Sequence, residues 1–142
     1  MRITLFLGVI LLAAMACGGQ KSEYKAILTQ KKWKYDEAAI REAIKDKPLS
    51  TMEMNLVDAT MSRMKGATME FQKDGTFVLT DASGEKRIGK WNLSADGKEL
   101  FMALSNIMPD PNVIEVFTPE KIVLAPMRDR GMVFPKIMVP AE

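Results

Sequence analysis

The sequence predicts a mainly β protein: an antiparallel eight-stranded barrel with a two-helix insert between its first and second strands. Three observations lead there. From residue 67 onward, short runs of alternating apolar and polar residues follow one another at close, regular spacing. Tight-turn signals separate them, Lys73-Asp74-Gly75, Ala82-Ser83-Gly84 and Ser94-Ala95-Asp96-Gly97. Before that stretch, residues 36–66 change to helical spacing and carry helix start and stop signals.

Residues 26–35 contain Ile27, Leu28, Trp33 and Tyr35 and form the expected first strand. Asp36 is placed to cap a helix in which Ile40, Ala43 and Ile44 recur on one face, and Pro48 ends it. Ser50-Thr51-Met52-Glu53 fits a capping box, in which a hydroxyl and a carboxylate satisfy each other's free backbone amides. Gly66 stands where that second helix should stop. The remaining strands are expected at 68–72, 76–80, 87–93, 99–104, 113–117, 121–125 and 132–139. A loop over 105–112 carries Pro109 and Pro111, and Arg128-Asp129-Arg130-Gly131 is expected as a solvated turn. Eight strands joined by tight turns can close into a barrel whose interior is either packed or holds one small ligand. Closure also removes the exposed edges through which sheets aggregate.

The first sixteen residues follow a different logic. Arg2 supplies a positive start, residues 3–14 are apolar apart from Thr4 and Gly8, and Ala14-Met15-Ala16 offers small residues before a cut. The run is shorter than the roughly 20 residues of a stable membrane span. It is expected to be a signal peptide, residues 1–16. Cys17, the one cysteine in the chain, follows at once, and Gly18-Gly19-Gln20-Lys21-Ser22 comes after it. Ala14-Met15-Ala16-Cys17 resembles the bacterial lipobox, and that resemblance implies acylation of Cys17. Multiple acyl chains give stable anchoring where one is marginal. Residues 17–25 would then be a flexible tether and residues 26–142 one domain. The competing account is ordinary secretion with Cys17 incidental. The lipoprotein reading places the chain in the cell envelope, with Gly18 compatible with outer-membrane sorting, and makes the membrane its first partner.

Composition narrows the function. Without Arg2 the chain has 19 basic residues (20 less one) against 18 acidic, which argues against a nucleic-acid partner. There is no histidine, and no metal-ligand spacing or phosphate loop appears. Ser50, Ser62, Ser83 and Ser94 sit at caps, turns or helix surfaces, and the carboxylates are dispersed. The reading is of a protein that is not an enzyme and needs no cofactor or metal, with a carboxylate hydrolase the remote exception.

Trp33, Phe71-Gln72-Lys73-Asp74-Gly75-Thr76-Phe77, Gly89-Lys90-Trp91, Asp96-Gly97-Lys98-Glu99-Leu100 and Ile114-Glu115-Val116-Phe117-Thr118 with Lys121-Ile122-Val123-Leu124 occur in an order that resembles the small lipocalin-like lipoproteins common in Bacteroidetes-type bacteria, within the calycin group. The resemblance implies a lipocalin-like barrel with Trp33 plugging one end. The helical insert departs from that pattern. A fold of this kind supports architecture more than function.

Twelve methionines are present. Met54, Val57, Met61 and Met64 form one stripe on the second helix, and Met52, Leu56 and Ala59 form another, so that helix is expected to be largely buried. It either packs on the barrel or covers a cavity as a soft, adaptable lid. For a barrel that binds a small apolar or amphipathic ligand, Met54, Met61, Phe71, Phe77, Trp91 and Met102 are the expected lining. The alternative is a filled barrel acting as a structural or protein-interaction module, such as an envelope accessory subunit or a hydrolase inhibitor.

Overall fold

The computed structural model describes residues 16–104 and 110–142, with side chains from residue 19 onward. Residues 1–15 of the proposed signal peptide and 105–109 of the proline-bearing loop therefore lie outside the described residues, as does the Cys17 side chain. Eight strands run β1 Lys32–Tyr35, β2 Thr68–Phe71, β3 Thr76–Thr80, β4 Lys86–Leu93, β5 Glu99–Ala103, β6 Asp110–Phe117, β7 Ile122–Leu124 and β8 Lys136–Pro140. Each pairs antiparallel with the next, and β8 returns to β1, closing the barrel. Helices α2 (Glu37–Ile44) and α3 (Thr51–Met64) form the expected insert between β1 and β2.

The local signals act as their chemistry requires. Asp36 accepts the Ala39 amide at the start of α2. The Ser50 hydroxyl accepts the Glu53 amide, and the Glu53 carboxylate accepts the Ser50 amide. Gly66 follows the end of α3 with φ +72°, a conformation that favours glycine. The Gly75 amide closes the β2–β3 turn on the Gln72 carbonyl at 3.0 Å.

β6 begins at Asp110, three residues before the expected start, and β8 at Lys136, four after it; the N-terminal segment departs further. Residues 17–25 are helical, not a flexible tether, and the first strand begins at Lys32, not Ala26: helix α1 spans Ala16–Thr29. The physical reason is tertiary. Tyr24, Ile27 and Leu28 stand at i, i+3 and i+4, so one narrow face of an otherwise polar helix is apolar. That face packs into the barrel core beside Trp33, Phe71 and Trp91, with Ile27 and Leu28 buried. The Tyr24 ring stacks on Phe117 at 3.9 Å between centroids. Lysines at 21 and 25 and two glycines conceal this in the sequence, since isolated propensity is weak and packing supplies the stability.

Two apolar cores result. The barrel interior contains Trp33, Met69, Phe71, Phe77, Trp91, Leu93, Leu100, Ile122, Leu124 and Met138. Strand alternation turns Val123 and Ile137 outward, where they meet Ile40, Ile44, Val57 and Met61 of the insert, together with Val133 and Phe134. The insert thus lies against the outside of β7 and β8. The expectation of a largely buried α3 is corrected: Val57 and Met61 are buried, but Met52 is 82% exposed and Leu56 43%. A helix packed against one side of a barrel can bury only one stripe, and the second stripe faces away.

Candidate functional site

Register defines what the barrel interior offers, because residues directly opposite on paired strands share a face. Following the ladders from Trp33 gives Met69, Leu79, and then Arg87 at the rim. On the far side Trp91 opposes Met102, Met102 opposes Asp110, and Leu100 opposes Asn112. Leu124 opposes Lys136, and Met138 opposes Tyr35. The interior therefore has two unlike ends. At one, α1 lies across Trp33, Phe71, Trp91 and Leu93 and closes the barrel. At the other, Lys136, Asn112, Asp110 and Tyr35 enter an otherwise apolar wall.

That second end holds a cavity of about 370 Å³. Its apolar wall includes Met64, Met69, Phe77, Leu79, Met102 and Met132. Met127 also reaches it, so five methionines contribute. Thioether side chains are flexible and polarisable, and such a wall can adapt to more than one apolar shape. The volume falls within the range of small-ligand pockets. Two larger grooves, about 640 and 560 Å³, lie elsewhere on the molecule. One is bordered by Lys21, Lys25, Lys73 and Lys90, the other by the junction of α3 with β1. Neither sits in the barrel mouth.

The polar groups of the mouth are tied together. Asn112 is the single buried polar residue among those described, 2% exposed. Its amide nitrogen donates to the Leu100 carbonyl at 3.0 Å and to the Asp110 carbonyl at 3.2 Å. Carbonyls only accept, so both donors are used there and Oδ1 is left to accept from the Lys136 ammonium, which it does. Asp110 pairs through its carboxylate with the Arg130 guanidinium at 3.0 Å. Desolvation by the surrounding wall pushes the Lys136 ammonium down to about 8, with the Asp110 charge opposing that shift. Burial raises the Tyr35 hydroxyl to about 12, so it stays protonated.

The six lining residues expected from sequence are distributed unevenly. Phe77 and Met102 line the cavity. Phe71 and Trp91 are inward but packed at the closed end, Phe71 meeting Phe77 at 5.1 Å and Trp91 edge-on at 5.6 Å between ring centroids. Met61 is buried in the outer core between insert and barrel. Met54 is 38% exposed on α3 and does not border the cavity. The lid reading of α3 is accordingly reduced to Met64, at its last turn. The Arg128–Arg130 segment is a 3-10 turn ending at Gly131, and through Arg130 it joins the polar cluster.

No protein-family model matches the chain, and no curated protein matches it. Among solved structures, a DUF4847 family protein from Bacteroides vulgatus is similar in fold, with 14% identity and a TM-score of 0.48. The alignment covers 83% of this chain and 96% of that one. Nothing about function follows from likeness at that level.

Sequence patterning overlooked Lys136, Asn112 and Asp110. The parity that points Met138 inward also points Lys136 inward, two residues earlier on the same strand. Asn112 and Asp110 were hidden by Pro111, which suggested a loop; Pro111 is instead within β6, paired with Phe101, and β7 joins β6 only from Ile114. Among the described residues, no group of His, Cys, Asp and Glu could hold a metal ion, and no helix is long and apolar enough to cross a membrane.

Proposed function

We propose that the protein is a lipid-anchored component of the cell envelope whose lipocalin-like barrel holds a small apolar or amphipathic ligand in its methionine-rich mouth. The observation that carries this reading is the 370 Å³ cavity at the end of the barrel that α1 leaves open. A barrel evolved only as a solid scaffold gains stability by filling that space, since interiors otherwise pack to crystal density. Five methionines lining one cavity favour an occupant over a fixed internal filling.

The anchor reading rests on Cys17 and the apolar run before it. Cys17 falls in the first turn of α1, and that helix packs directly on the closed end of the barrel. The β4–β5 turn lies beside Gln20 and Lys21, with Gly97 approaching both. Acylation at Cys17 would therefore hold the closed end toward the bilayer and leave the mouth facing away from it.

Native mass spectrometry of the purified protein with Cys17→Ser, before and after exposure to an envelope lipid extract, tests the cavity. A reproducible added mass is expected, lost in a folded Met102→Asp variant. A bare mass under both conditions rejects ligand binding.

The exposed Met52 and Leu56, one helical turn apart on α3, favour a second reading as a protein-interaction module. Under it, Leu56→Lys would release a protein that otherwise copurifies from detergent-solubilised membranes.

A further inference from the structure

Lys136 puts a positive charge where the barrel wall is otherwise largely methionine, leucine and phenylalanine. Its hydrogen-bond partner among the described residues is Asn112 Oδ1, a neutral amide oxygen. An ammonium has three N–H donors, and among the described residues one is engaged, by Asn112 Oδ1. The carboxylate close by, Asp110, is engaged by Arg130 at 3.0 Å. Lys136, Arg130 and Asp110 together carry one surplus positive charge. Asn112 is buried and held by two carbonyls, so it fixes the lysine head without neutralising it.

We infer that the cavity selects amphiphiles with a single anionic head, a carboxylate on a short apolar chain being the simplest, by seating that head on the Lys136 ammonium. This rests on the ligand-binding reading above and names the class of ligand. An ammonium drawn out of water into an apolar wall is costly, and an arriving anion offsets that cost where a neutral head does not. The apolar chain meanwhile covers Met69, Phe77, Leu79 and Met102. A cationic head meets the surplus charge and is excluded.

Matched probes separate the two parts of the argument. Octanoate and octanol are titrated calorimetrically into the Cys17→Ser protein at pH 7, and then into Lys136→Met and Lys136→Arg. The wild-type mouth is expected to prefer octanoate by at least about tenfold, the worth of one charge-assisted hydrogen bond. Lys136→Met should bring the two ligands within about twofold by weakening octanoate alone, and Lys136→Arg should retain the preference. A second measurement needs no variant. Tyr35 and Asp110 line the mouth with Lys136, and Arg130 pairs with Asp110; burial raises the Tyr35 hydroxyl to about 12, so it keeps its proton from pH 7 to 9.5. The octanoate preference should therefore decline across that range as Lys136 loses its proton.

Equal affinity for octanoate and octanol in the wild type overturns anion selection and leaves the cavity standing. A preference that survives in Lys136→Met, or that is flat from pH 7 to 9.5, removes the role of Lys136. Binding of neither probe rejects the cavity reading itself.

Discussion

The indole N–H of Trp33 donates to the main-chain carbonyl of Leu28 at 3.1 Å, inside the core. Leu28 lies in the last turn of α1, where carbonyls have no partner within the helix. One side chain of β1 thus completes the hydrogen bonding of the helix that closes the barrel. Trp33 and Leu28 are both fully buried, and water cannot replace the bond.

Trp33→Phe keeps most of the ring and removes the donor. It is expected to destabilise the fold by at least about 1–3 kcal/mol, the cost of leaving a buried carbonyl unsatisfied, with the packing lost at the vacated ring added to it. Urea unfolding followed by circular dichroism checks this. A midpoint unchanged from wild type would mean that neither the bond nor the packing of the indole contributes to stability.

Leu28→Asp puts a carboxylate into the core between α1 and the barrel. The cost of burying an unpaired charge exceeds what one narrow apolar face contributes, so α1 should detach. Hydrogen exchange should then accelerate over residues 19–29 and remain slow in β3 and β4. Acceleration across the whole barrel would show instead that α1 and the barrel unfold as one unit.

Gly89 faces into the barrel opposite Phe77, where the end of β5 crosses close by. A Cβ there would stand 1.8 Å from the Ala103 carbonyl oxygen and 2.8 Å from the Leu104 Cα, both main-chain atoms. Backbone cannot rotate away as a side chain can. Gly89→Ala is expected to cost at least about 3 kcal/mol or to prevent folding, measured by urea midpoint or by the yield of soluble protein.

The Lys136 ammonium loses its proton near pH 8 in the folded chain and near 10.5 when exposed by unfolding. Between those values the unfolded state binds more protons, so stability contributed by this site rises with pH. It is fully present above 10.5 and lost as pH falls through 8. Tyr35 acts oppositely above pH 10, because its folded value of about 12 lies above its ordinary 10.0. The urea midpoint should therefore climb from pH 8 to about 10 in the wild type. In Lys136→Met the climb should be reduced; an identical climb would assign the effect to other groups.

Much of the architecture was legible in the chain because it depends on short-range chemistry. Asp36, Ser50 with Glu53, and the Asp74-Gly75 and Asp96-Gly97 turns each satisfy local backbone groups, and they mark element boundaries wherever the chain later packs. Alternation in Met69, Phe71, Phe77 and Leu79 set which faces turn inward, since a one-residue slip would expose all four.

The sequence by itself determined the number and order of the eight strands and the place of the two-helix insert. Tertiary structure alone decided three other matters. It made residues 16–29 a helix, because Tyr24, Ile27 and Leu28 acquire a purpose only when the closed end of a barrel is there to receive them. It sent Met61 to the outside of β7 and β8 and left Met54 exposed, because a helical stripe does not state which surface it will meet. And it brought Lys136, Asn112 and Asp110 together across β6 and β8, residues up to 26 positions apart, along a closure whose register no local pattern records.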